Sequence, residues 1–275
     1  MNRGIYEAAS GMLVQETHLD VITNNLANVD TPGYKRRISA TSDFSALLDR
    51  IEKVSEDGET KITTVLPADM PFKGREVIGS VALAAIFSED VMDMFPGVVK
   101  TSENPLDMAI DGQGFFSVSD EEGNTYYTRA GNFTLDSNGN IVNPNGLMLQ
   151  GEGGSLNVGN NAIDIQVNRS GQVIVTREDQ TEVIGRVALF SFERPTYLHH
   201  QANNLLTPTE QSGQPENVDA ANVKIWSGML EASNVEVVTE MARMIEAQRI
   251  YEGASKALMT HDEQTSKLIT SFSRG

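Results

Sequence analysis

The sequence predicts an α+β protein: terminal helices pairing as an antiparallel coiled coil, with a central, mostly antiparallel β domain. Two patterns predict it. At the start, Ile5, Met12, Leu19 and Leu26 recur every seven residues, with Ala8, Ile22 and Val29 on the adjoining row; at the end Val237, Met244, Tyr251 and Leu258 do the same, with Met241 beside them. That spacing puts a single apolar stripe on a helix. Between the two, short β-branched and aromatic runs are separated by Asn-Gly and Gly-Asn turns, which are hairpin signals. A stripe must be buried, and the nearest cover for each terminal helix is the other one. Burying a Leu or Ile side chain contributes roughly 1.5–3 kcal/mol, and a lone molecule covers only part of two long stripes. The expected subunit contacts are therefore Ile5, Met12, Leu19, Ile22, Asn25 and Leu26 on the first helix, with Val237, Met241, Met244, Tyr251 and Leu258 on the last.

The elements follow in order. The first helix runs from about Gly4 to about Asn28 and stops at Asp30-Thr31-Pro32-Gly33, where proline and glycine break helical geometry. Lys35, Arg36 and Arg37 read as a solvated helix end. Residues 43–54 fit a second, shorter helix through Phe44, Leu47, Leu48 and Ile51. Residues 55–75 lose periodicity and read as a linker or arm; residues 77–94 fit strand or helix equally. From Val98 the hairpin texture begins, and it continues through Val183–Phe192. Residues 199–222 read as a polar loop crossing back. At Gly228–Glu231 the chain turns out of the β domain, and Ser233 or Asn234 caps a last helix reaching about Phe272. The expected division is 1–35, 36–96, 97–230 and 231–275. Asn24, Asn25 and Asn28 are mediocre helix formers; they either hydrogen-bond to neighbouring chains or fray the helix before the Pro32 turn.

Composition narrows the chemistry. The chain has 275 residues, a formal net charge of −17 and no cysteine. The charge argues against nucleic acid or an anionic membrane surface as partner. Without cysteine there is no disulfide, thiolate ligand or thiol nucleophile. Glu7, Glu16 and Asp20 interrupt the region where a secretory signal needs an apolar core, and no stretch approaches the ~20 apolar residues of a membrane helix. His199-His200 has no third ligand at a definable spacing. The run Asp136–Asn140 lacks the Gly and Glu of a calcium loop, which would fall at Ile141 and Leu147. Gly112-x-Gly114 has Ser117 where a dinucleotide loop needs glycine. No catalytic, cofactor or metal residue is expected.

Three motifs then resemble one family. Asp20–Arg36, with its Asn24-Asn25-Leu26-Ala27-Asn28 and Thr31-Pro32-Gly33-Tyr34 runs, is similar to the N-terminal signature of bacterial flagellar rod and hook proteins. Asn104–Phe116 followed by Tyr127–Phe133 resembles the start of their β domain. Leu230–Val235 and Met244–Glu252 resemble their C-terminal helix. Within the family, Thr31–Tyr34, Gly151–Gly154 and Gly185–Val187 are most like the proximal rod subunit, with the distal rod subunit the alternative. The resemblance implies a structural protein of the basal body, exported by the flagellar type III apparatus without a cleaved signal. Its partners would be other rod subunits and copies of itself, assembled helically in the periplasm, with the helices lining an inner tube. An enzyme acting on periplasmic glycan is the competing class; it needs a facing carboxylate pair, which no spacing here supplies.

Overall fold

A computed structural model describes residues 3–43, 85–159, 162–178, 180–218 and 223–272. The helix expected over 43–54 and the arm expected over 55–75 lie outside them, apart from Asp43, which ends a strand. The chain divides into two units. One comprises residues 1–23, 39–90 and 241–275; the other comprises 24–38 and 91–240.

In the first unit, helix α1 spans Arg3–Ala27 and helix α2 spans Val237–Phe272, each entering the second unit at one end. Both match the expected spans closely. On α1 the most sheltered apolar residues are Val14, Val21 and Ile22. Met12, Leu19 and Leu26 are half-buried, so the covered face is turned from the expected row toward Val14 and Val21. On α2, Val237, Met244, Tyr251 and Leu258 are half-buried on the row that includes buried Ala247, whereas Met241 is exposed. Ile5 has no described side-chain environment.

The second unit is built of antiparallel sheets. Its largest runs in the order His199–Gln201, Leu205–Thr207, Thr125–Thr128, Phe115–Ser119, Met148–Gly151, Ile141–Val142 and Thr134–Leu135. Phe115–Ser119 is buried on both faces. Phe116 and Val118 enter the main core with Phe133, Ile141, Leu149 and Val173. Phe115 turns the other way, into a cluster with Tyr127, Phe192 and Leu206. Alternation along the strand splits the two sets, and edge-to-face ring pairs, such as Tyr127 on Phe192 at 5.0 Å, fill the second. Asp164–Val167, Gln172–Thr176 and Thr181–Arg186 form a three-stranded sheet with a bulge at Val173/Ile174.

One turn device recurs four times. Asp120, Asp136, Asn143 and Asn168 each accept backbone N–H bonds on a side-chain oxygen from the turn they open. A glycine three residues later, at Gly123, Gly139, Gly146 and Gly171, takes positive φ. The side chain stands in for a missing backbone partner while glycine supplies the left-handed step of a bulged hairpin turn. The carboxyls of Asp120 and Asp136 are held below the usual range chiefly by the side-chain amides of Asn124 and Asn140. The Asp136–Asn140 run is thus a hairpin turn.

Several expectations change. The segment left open between strand and helix carries a strand, Ala85–Met92, which pairs with Arg37–Asp43; residues 77–84 lie outside the described set. Residues 199–222 are more than a loop, because His199–Gln201 and Leu205–Thr207 form a hairpin seated on Thr125–Thr128. The chain does not leave the β sheets at Gly228: Met229–Glu231 pairs with Val99–Thr101. Asn234 does not cap α2, since its carboxamide is taken by the backbones of Arg36, Asp93 and Phe95.

Candidate functional site

The second unit contains a buried polar joint where the last turn of α1, the chain behind it and the approach to α2 meet. Its centre is Glu231, at the end of its strand and 3% exposed. One carboxylate oxygen takes the Lys35 ammonium at 2.6 Å and the Gly97 N–H at 2.9 Å. The other takes Arg129 Nε at 2.7 Å. Arg129 also donates to the carbonyls of Ile110, Gly112 and Gly114, and Lys35 to that of Phe95 at 3.0 Å. Burial alone would raise the Glu231 carboxyl, but Arg129 and Lys35 outweigh it and hold it below the ordinary range. Burial pushes the Lys35 ammonium down, opposed by Glu231. The excess cation is tolerated because the three backbone carbonyls around Arg129 carry partial negative charge.

A second layer surrounds Asn25, which is 1% exposed. Its carboxamide reads the backbone of Arg37 as a neighbouring strand would, donating to the carbonyl at 2.8 Å and accepting the N–H at 2.9 Å. It also accepts Tyr34 Oη at 3.1 Å and donates toward Glu240 at 3.4 Å. Those contacts fill both its donors and its acceptor oxygen. The single Tyr34 hydroxyl proton is shared with Asn24 Oδ1 at 2.9 Å. Burial pushes the Tyr34 phenol up to about 12. Arg36 completes the layer with Asp93 at 2.8 Å and Glu240 at 3.7 Å.

Two glycines admit the backbones. Gly33, at φ 66°, donates its N–H to the Glu231 carbonyl, and a Cβ there would lie 2.4 Å from Arg129 and Ala130 main-chain atoms. A Cβ on Gly97 would meet the Ala232 carbonyl at 1.9 Å.

This geometry corrects two readings. Lys35 and Arg36 are no solvated helix end; both pair with carboxylates, Lys35 in the interior. Asn25 does not fray the helix, because its amide is engaged within its own chain. Of the expected contact residues, Asn25 alone enters the joint. Tyr34, Arg129, Glu231 and Glu240 were missed as site residues. The available signal was charge set inside apolar or small-residue motifs, as in Thr128-Arg129-Ala130-Gly131 and Leu230-Glu231-Ala232-Ser233. The joint fixes segments in place; it holds no nucleophile beside a base.

Comparison with known proteins follows the same three stretches. Residues 5–35 match the model of the flagella basal body rod protein, residues 109–175 the flagellar hook protein FlgE/F/G D1 domain, and residues 227–271 the flagellar basal body rod FlgEFG protein C-terminal region. The chain is 32% identical over 270 residues to the flagellar basal-body rod protein FlgG of Buchnera aphidicola from Schizaphis graminum, covering 96% of this chain and 97% of that one. It is 33% identical over 263 residues to FlgG of Caulobacter vibrioides, covering 93% and 94%. With FlgF of Caulobacter vibrioides it shares 28% over 260 residues, covering 94% and 93%.

Proposed function

Because this chain belongs to the flagellar basal-body rod protein family, a family of structural proteins rather than enzymes, we propose that it is a distal rod subunit of the FlgG type. End-to-end similarity to FlgG carries the reading: the FlgG relatives exceed the FlgF relative in identity at comparable coverage. The proximal, FlgF-type reading that the short motifs favoured has the weaker support. Subunits associate with one another and with other rod subunits in a helical array that transmits motor torque to the hook, after export through the type III apparatus without a cleaved signal. The array lies in the periplasm. Heterologous contacts of this kind do not close, so one kind of chain extends a tube. The terminal helices supply the contacts. Val238, Met241, Ile245 and Met259 on α2 are each about half exposed or more, an arrangement that suits burial between subunits.

The test is made in the protein's own host. Washed basal bodies should retain the chain, and cells lacking it should make rods that stop short, without a hook. A chain absent from basal bodies would overturn the rod assignment. Loss of the rod's motor-proximal part would move the protein to the FlgF type.

A further inference from the structure

A cavity of about 460 Å³ lies in the second unit, beside the end of α1, within the roughly 300–1,000 Å³ of small-ligand sites. Its walls come from the end of α1, the turns at 128–132 and 143–145, and the hairpin at 200–204. More than half of the side chains lining it are carboxamides, and none is Asp, Glu, Lys or Arg. In a chain with 38 acidic and 21 basic residues, such a lining favours a neutral ligand.

The groups are also available. The side chains of Asn132, Asn145, Gln201 and Asn203 make no hydrogen bond among the described residues. His200, which also lines the cavity, has a buried, unpaired Nε2. Asn203 and Asn204 hold φ of 64° and 58°. Two successive left-handed residues that are not glycine are the kind of local strain that gathers at ligand clamps.

We propose that this cavity binds a neutral saccharide. A carboxamide offers a donor and an acceptor side by side, and a sugar hydroxyl is likewise both. An acetamido group pairs with a carboxamide reciprocally. Pro32, Ala130 and Pro144 offer apolar surface to the sugar's C–H faces. With no carboxylate in the lining, the site can hold a glycosidic bond but has no acid–base pair to cleave it.

The experiment titrates the full-length protein with tri-N-acetylchitotriose and, separately, with maltotriose, followed by NMR of the His200 ring and the side-chain amides. Saturable shifts confined to this cavity are expected, larger at a given concentration for the N-acetylated sugar. The double variant Asn145→Ala/Gln201→Ala removes no side-chain bond among the described residues, so its fold should be unchanged. Losing two ligand hydrogen bonds should weaken binding about tenfold or more. Absence of saturable binding by both sugars, or equal binding by the folded double variant, would overturn the proposal. So would saturable binding of a neutral Asn-Gly peptide in place of either sugar.

Discussion

At the residue scale the joint depends on matched charge in a dry place. Glu231→Ala would leave Lys35 and Arg129 buried without their counter-ion. Breaking a buried pair on one side costs about 3–5 kcal/mol, so the denaturation midpoint should fall markedly. The Glu231 carboxyl is held below its ordinary value, so its stabilisation is present above the unfolded-chain value of about 4.3 and is lost as pH falls through the lower folded value. Glu231→Gln should flatten that acid limb in urea melts at pH 3 to 6. Tyr34 behaves in the opposite sense. Its phenol rises to about 12, so its stabilisation is complete below about 10 and is lost as pH climbs through the folded value. The stability gap between wild type and Tyr34→Phe should therefore narrow between pH 10 and 12. Gly33→Ala adds a left-handed penalty and a main-chain clash, together worth about 1–3 kcal/mol or more.

At the element scale, the ends of the helices belong to the β unit. Asn25 and Tyr34 on one side, and Glu231, Asn234 and Glu240 on the other, lie within it. Truncation should respect that division. A chain of residues 24–240 keeps every group of the joint and should unfold cooperatively, as read by near-UV circular dichroism in denaturant. A chain of residues 31–230 loses Asn25, Glu231 and Glu240, leaving Lys35 and Arg129 without a carboxylate, and should melt earlier. If both truncations melted at the same denaturant concentration, the joint would have no part in stabilising the unit.

At the scale of the whole molecule, charge opposes association. Copies carrying −17 each repel one another, and salt screens that repulsion over about 10 Å at 0.1 M. Self-association through apolar helix faces should therefore increase from 10 mM to 300 mM salt, as measured by light scattering. Contacts made mainly by opposite charges would show the reverse trend.

The sequence by itself determined the α+β class, the two terminal helices, the hairpin-rich middle and the family. Each is written in local chemistry: a seven-residue apolar repeat, Asn-Gly turns and contiguous motifs. The four Asx-and-glycine turns were legible too, since each occupies five successive residues. The joint was not. Lys35, Arg129 and Glu231 are separated by about a hundred residues at each step, and a charged residue in sequence carries no mark of the burial it will meet. Only the tertiary structure decided that Asn25 serves its own chain and that a basic triplet lies partly inside. Burial and pairing are properties of what the rest of the chain brings alongside.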